Sequence, residues 1–534
     1  MSTKKTENLF EPFKPVDRRD WEESVNRFLD GADYREKLLW NSPEGFSALP
    51  LYWDEDVTER QLLPGEPGKP PFTRGTRFID RDSAPADPHL VEDITAASPA
   101  ETIQFAHSAV RGGATALRIA FDSSENRNGN SGNKNTIDGI RLKPDSEVIR
   151  QLFEVIGPGK TALYIELPAM TSLEADTLPA ELFDGTRPHQ TFLFDDPLAF
   201  GAGSGKWPWN RNGDKIIDSF DRWLADRIRH EGRSLEVNGL YYHNCGAALT
   251  QELGLALAGG SEYLARAAEN GVSAEKAAQS IHFRLSVSSL YFPEIAKFRA
   301  FRFLWCQVAT EYGIETGKRP WIHAESSSWN RTSIDPGNNI LRATTEVMAA
   351  IVGNADSIRT GPYDELFRKP DHFSRRIARN LQHIVRDEAR LSQVADPGAG
   401  SRYIEVLTDE IGRRAWEFFQ KIEKHGGLMR AVEDGVVQKW IKEAAEEKRN
   451  AVNRDDIVRI GLNKYQPDEG MQDPLLGNSG SQPAGEDRLP ALRFPAELPE
   501  AEKDFPTIRP WRLAEPFEQA SRSEEVTNPE GGES

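Results

Sequence analysis

The chain has 534 residues and carries 66 Lys and Arg against 84 Asp and Glu, a formal net charge of −18. That balance argues against nucleic acid and anionic membrane surfaces as partners, and it means that an anionic ligand needs its own local Arg or Lys. Two cysteines, Cys245 and Cys306, are too few for a disulfide framework or a Cys-rich zinc site, and no apolar run is long enough for a secretory signal or a membrane span, so a cytoplasmic protein is expected.

Residues 1–80 read as an N-terminal arm. An amphipathic helix is predicted from Asp20 to Asp33, with Trp21, Val25, Phe28 and Leu29 on one face, followed by Pro- and Gly-rich turns from Leu63 to Pro71. From 81 to 395 strand-like and helix-like runs alternate. Strands are predicted at Leu90–Ile94, Ala114–Phe121, Ala162–Leu167, Thr191–Phe194, Leu235–Tyr242, Ile281–Val287, Pro320–Ala324 and Asp356–Thr360. Helices are predicted over 99–111, 246–270, 292–312 and 336–352. Strand–helix units recurring every 30 to 45 residues or so predict an α/β fold, a (β/α)8 TIM barrel. The glycines and lysine at Gly201–Lys206 lack phosphate-loop spacing and read as a plain loop. A helical C-terminal extension covers 396–465, with an apolar stripe of Ile411, Ala415, Phe418, Phe419 and Ile422 and a break at Gly426-Gly427. Residues 466–534, rich in Pro, Glu, Gly and Ser, read as an extended, partly disordered tail.

The most informative stretch runs from Arg319 to Glu365. An apolar run ends in His323, Glu325 and three serines. Asp335 is placed as an N-cap with Pro336 at the first helical position, and Gly353 ends the helix before the last strand. The polar residues then gather at the carboxyl end of a strand, where parallel α/β proteins place ligands. This stretch resembles the signature of the cobalamin-dependent methylmalonyl-CoA mutase family, acyl-CoA carbon-skeleton isomerases. Pro71-Phe72-Thr73-Arg74-Gly75, Glu294–Ala300, Arg376–Asn380, Ala395-Asp396-Pro397 and Lys424–Gly427 match it in the same order.

The resemblance implies an adenosylcobalamin-dependent reaction, because this rearrangement needs homolysis of a cobalt–carbon bond that no side chain replaces. Complete catalytic members carry a cobalamin domain marked Asp-x-His-x-x-Gly. None of the ten His residues lies in that pattern, so no cobalamin-binding domain and no metal ligand are expected in this chain. Catalytic members follow Pro-Phe-Thr-Arg-Gly with a Tyr-bearing stretch, replaced here by Thr76-Arg77-Phe78-Ile79-Asp80. At the end of the fifth strand their carbonyl-binding His is replaced by Tyr241, with His243 two residues on and on the same strand face. The Tyr-His-Asn form looks like the small subunit of heterodimeric mutases. His323 and Glu325 match a substrate-contacting His-x-Gln pair, with a carboxylate in place of the amide. Arg299 matches an Arg on the CoA phosphate side, and Arg74 is a candidate for anion binding or a structural hydrogen bond. The serines 286, 288, 289 and 326–328 are expected at strand ends, where the family threads pantetheine along a small, polar-lined channel.

No residue is assigned a catalytic role with confidence; Arg74, Tyr241, His243, Arg299, His323 and Glu325 are the candidate substrate-binding set. The expected function is a subunit of a methylmalonyl-CoA mutase, the small one, assembling as a heterodimer with a homologous large subunit that carries the cobalamin. An acyl-CoA is a candidate ligand of the barrel. The alternatives are a catalytic chain that borrows a separate cobalamin-binding protein, and a stand-alone structural or regulatory barrel. The aromatics of the arm (Trp21, Phe28, Trp40, Phe46) and of the tail (Phe494, Phe505, Trp511, Phe517) are expected to be exposed partner contacts.

Overall fold

The computed structural model describes residues 16–58, 65–76, 87–94, 98–120, 146–157, 161–166, 191–208, 216–229, 232–315, 319–467 and 503–518. A short antiparallel hairpin, β1 (Trp40–Ser42) with β2 (Phe46–Ala48), precedes the barrel. The barrel strands are β3 (His89–Ile94), β4 (Ala116–Ala120), β5 (Ala162–Glu166), β6 (Thr191–Phe194), β7 (Leu235–Asn238), β8 (Ile281–Val287), β9 (Ile322–Ser326) and β10 (Ser357–Arg359). All neighbours pair in parallel in the order β6-β5-β4-β3-β10-β9-β8-β7. A parallel bridge between Phe192 and Arg233, with Leu193 N donating to Arg233 O at 2.9 Å, closes β6 onto β7. The predicted (β/α)8 barrel is therefore present.

Every residue of β4, β8 and β9 is buried, as expected of strands covered by helices on one face and by the barrel interior on the other. Outward residues such as Phe283 pack on the helix Tyr291–Glu311, with ring centroids 4.7 Å from both Phe301 and Trp305. The extension helix Arg402–Lys424 buries Ile411, Ala415, Phe419 and Ile422 in the same core cluster as Phe283 and Phe301. Its approach to the helix Leu249–Glu269 depends on Gly254: a Cβ there would stand 2.8 Å from Phe418 Cδ1 and 3.0 Å from Ala415 O. Among the described residues no helix is long and apolar enough to cross a membrane.

Several local expectations are corrected. The strand predicted over Leu235–Tyr242 stops at Asn238, whose side chain accepts from Tyr241 N and caps a helix, Gly239–Asn244. Asp335 is not an N-cap. It sits at φ 49° in the left-handed region, and the helix starts only at Asn338. Gly201–Ser204 belongs to the helix Pro197–Ser204, ended by left-handed Gly205. The arm helix spans Arg18–Phe28, capped by Asp17.

The aromatic residues of arm and tail also divide. Phe28 is 88 % exposed, but Phe46 is buried in the core, and Glu44 beside it accepts from Leu249 N and pairs with Lys448 at 2.8 Å. Tail residue Phe505 is buried against Trp207, Trp511 packs edge-on to Trp329 at 4.4 Å, and Phe517 packs against the same cluster. These residues cover their own chain; Phe494 lies outside the described residues.

Candidate functional site

Alternation along the strands sends two layers of side chains into the barrel. The lower one is aromatic and imidazole: Tyr164, Phe192, Phe194, His282 and His323. His323 meets Phe194 edge-on at 5.1 Å and Tyr164 at 5.6 Å, and its Nδ1 lies 2.9 Å from Ser357 Oγ. Burial pushes the His323 imidazole down to about 4, against a partial pull from Glu325, whose Oε2 is 3.5 Å from Nε2. His323 is thus a neutral ring wedged between aromatics.

Above it lies a layer of charge. Strand register sets Asp93 beside Arg118 and Arg359 beside Glu325. Arg118 donates to both Asp93 oxygens at 2.7 and 2.8 Å and to Glu325 Oε2 at 2.6 Å. Arg284 donates from Nε to the same Glu325 oxygen at 2.8 Å, and Arg359 Nη1 reaches Glu325 Oε1 at 3.3 Å. Glu236 and Glu166 stand 3.5 and 3.8 Å from Arg284, and Glu365 caps Arg359 at 2.6 Å. Burial alone would raise the Glu325 carboxyl, but Arg118, Arg284 and Arg359 outweigh it and hold it well below the usual carboxylate range. Glu236 goes the other way: burial drives it well above that range, because Arg284 alone does not compensate.

The geometry has a direct consequence for access. In strand order β4 and β9 are separated by β3 and β10, so the 2.6 Å contact of Arg118 with Glu325 crosses the barrel lumen rather than running along its wall. The bridge lies on the axis along which a pantetheine arm is expected to thread. The serines expected to line a channel are likewise engaged. Ser286 Oγ donates to Glu252 at 2.6 Å, Ser288 Oγ to Glu294 at 2.6 Å, and Ser326 Oγ to Thr360 Oγ1 at 3.0 Å. Lys297, fully buried, joins Glu252, Glu294 and Ser286 in one network. Arg459 donates to Ser289 at 3.2 Å.

At the carboxyl rim, the other candidates face their own chain. Tyr241 donates its hydroxyl to Ile508 O at 2.8 Å. His243 Nδ1 lies 2.9 Å from Ser327 Oγ, and Ser327 Oγ in turn donates to Asn244 Oδ1 at 3.0 Å. Burial holds the His243 imidazole well below its ordinary value, with Lys448, Lys297 and Arg459 adding repulsion. Tail residues 503–518 run over this rim: Trp511 N donates to Asn244 O at 3.1 Å and Leu513 N to Trp329 O at 3.2 Å.

Arg74 and Arg299 come together elsewhere. Both reach Asp396 Oδ2 at 3.3 Å, and Arg299 also donates to Glu405 at 2.9 Å, on the outside of the barrel and away from His323 and Glu325. The neighbouring Arg302 holds the Pro71–Gly75 turn by donating to Phe72 O at 2.9 Å. In this chain the matching motifs 71–75, 294–300 and 395–397 are thus tied together by structural bonds. The stretch 77–80, where a Tyr is expected in catalytic members, lies outside the described residues.

The six candidates therefore split into three groups: His323 with Glu325, Tyr241 with His243, and Arg74 with Arg299. Arg118, Arg284, Arg359, Asp93 and Glu236, which dominate the interior, were not singled out from the sequence. Their signal was available: charged residues at alternate positions of strands that must be buried on both faces, where ordinary barrels place Val, Ile and Leu. A cobalt ligand does not fit this donor set. The barrel-interior imidazoles His282 and His323 are buried among aromatics, and His243 is bonded to Ser327.

Comparison with known proteins is consistent along most of the chain. A family profile described as methylmalonyl-CoA mutase matches residues 41–480. The methylmalonyl-CoA mutase small subunit of Porphyromonas gingivalis is 31% identical over 474 residues, covering 86% of this chain and 72% of that protein. The small subunit from Streptomyces virginiae is 31% identical over 479 residues, with 89% and 71% covered. The methylmalonyl-CoA mutase of Rhizobium meliloti is 29% identical over 476 residues, with 84% and 64% covered. Against the large subunit of Streptomyces virginiae the identity is 28%, and the chain spans 61% of that protein.

Proposed function

The chain belongs to the methylmalonyl-CoA mutase family, a family of isomerases, and we propose that it serves there as the small, supporting subunit of an adenosylcobalamin-dependent enzyme that interconverts methylmalonyl-CoA and succinyl-CoA. In this reading a homologous large subunit carries the cobalamin and the chemistry, and this barrel stabilises the heterodimer. The observation that carries it is the Arg118–Glu325 bridge across the lumen, with Arg284 and Arg359 on the same carboxylate. Where a catalytic barrel needs an open axis for its acyl-CoA, this one has an ion-paired plug. The retained His323 is consistent with a packing role, since its neutral ring is held by Ser357 and two aromatics. The exposed apolar residues Phe28, Leu38, Leu39 and Trp40 of the arm are the part of that segment left for a partner.

The test is co-expression with a large-subunit homologue. Mutase activity should require both chains, and His323→Ala in this chain should lower kcat less than about tenfold, because losing a catalytic hydrogen bond typically costs more. This chain by itself should not retain adenosylcobalamin through gel filtration. A loss of about a thousandfold in a folded His323→Ala heterodimer would instead make this barrel a catalytic one.

A further inference from the structure

Where the tail crosses the β9 loop, three guanidinium groups converge, and only one of them is directly paired with a carboxylate. Arg331 is buried and pairs with Glu346 at 3.0 Å. Arg342 and Arg459, both half-buried, have only neutral acceptors among the described residues. Arg342 donates to Asn339 Oδ1 at 2.9 Å and Ile460 O at 2.7 Å, and Arg459 to Ser289 Oγ at 3.2 Å and Asn330 Oδ1 at 2.7 Å. Together with Asn330, Leu513 and Ala514 they line a small cleft with about 10 Å³ of free space, room for one guest near the size of a water molecule.

The unpartnered atoms of this cleft are all donors. Arg331 Nε, Arg459 Nε and Asn330 Nδ2 are buried without an acceptor, and the orientation of the Asn330 amide is fixed because its Oδ1 already accepts from Arg459. Burying three N–H donors without an acceptor is costly. A water molecule accepts only two hydrogen bonds and leaves the charge uncompensated, whereas a monatomic anion accepts all three and balances it. Burial, followed by repulsion from Arg459 and Arg331, pushes the Arg342 guanidinium down to about 10, although Glu346 and Asp335 pull the other way.

We propose that the cleft bounded by Arg331, Arg342, Arg459 and Asn330 is a halide-sized anion site that fastens tail residues Leu513 and Ala514 to the β9 loop. The small volume shuts out phosphate and carboxylate groups. The site lies outside the ion-paired plug of the barrel and is independent of whether that barrel turns over substrate.

The test uses the full chain at constant ionic strength, with chloride replacing the bulky anion gluconate, so that general screening is held fixed. The thermal midpoint should rise with the logarithm of chloride concentration up to about 100 mM, as ligand linkage requires, and bromide should act like chloride while sulfate does not. Arg459→Gln and Arg342→Gln should each remove most of that rise and, in gluconate, melt no lower than the parent, because each deletes an unbalanced charge. Crystals grown with bromide should show an anomalous peak in the cleft of the unsubstituted protein. A parent midpoint that ignores chloride, full retention of the shift in both Gln variants, or an empty cleft in the bromide crystals would each overturn the proposal.

Discussion

Replacing Glu325 by Gln keeps the size of the side chain and removes one charge from the centre of the plug. Glu325 is contacted by Arg118 at 2.6 Å, Arg284 at 2.7 Å and Arg359 at 3.3 Å, and its side chain is 6% exposed. Burial raises Glu236 well above the usual carboxylate range, and Asp93, Glu166, Glu325 and Glu365 also face the three guanidiniums. Glu325→Gln removes the carboxylate that all three guanidiniums share, and it turns one acceptor oxygen into an N–H pointing at Arg donors. Breaking a buried ion pair from one side costs about 3 to 5 kcal/mol, mostly because the orphaned charge stays buried, so urea denaturation should show a loss of that size. Arg284→Met should also destabilise. The double variant removes one charge of each sign, and should be more stable than the summed single losses by about 1 to 3 kcal/mol. If Glu325→Gln stays within about 1 kcal/mol of the parent and the cycle is additive, the plug is not an interdependent unit, and the lumen bridge ceases to be evidence of a closed barrel.

Two further outcomes follow from the same interior. His323 sits near 4 when folded and near 6.5 when unfolded, so between those values the unfolded chain binds a proton the native state refuses; its stabilisation is fully present above about pH 6.5 and is lost as pH falls toward 4. The full effect is on the order of 3 kcal/mol, of which about 2 should be gone by pH 5, and His323→Gln should flatten the pH dependence of the urea midpoint by that amount. Glu294, raised to about 7 by burial, acts with the opposite slope and is unchanged in that comparison. Gly254→Leu should destabilise by about 1 to 3 kcal/mol, because its side chain would press on Phe418 and on the backbone of Ala415, and a variant as stable as the parent would mean that the two helices separate freely.

Much of the barrel was legible because its signal is periodic. Strands at Thr191–Phe194 and Ile281–Val287 and the helix 99–111 were read to the residue, and the eight-unit spacing gave closure. Two local errors have one cause, a polar side chain whose role depends on its neighbours. Asn238 looks like part of a strand until its side chain caps the next turn, and Asp335 looks like a cap until the tight turn after it places it at positive φ. The plug was harder to see. Asp93, Arg118, Glu325 and Arg359 are spread over half of the sequence, and only strand register and closure bring them together; single-sequence periodicity carries the alternation but not the pairing.

The tail shows the opposite difficulty. Composition alone predicts an extended segment, and residues 503–518 are indeed largely without regular structure. What composition cannot supply is the set of acceptors waiting at the barrel rim. The early end of β7 and the helix cap that follows it free Asn244 O, and the 3-10 turn Ser328–Asn330 frees Trp329 O, so both accept from tail amides. Tyr241 then donates back to Ile508 O, which makes it a fastener for the tail rather than a group aimed into the lumen. A variant Tyr241→Phe should loosen residues 503–518 toward proteolysis while leaving the lumen bridge between Arg118 and Glu325 in place, since no bond connects the two.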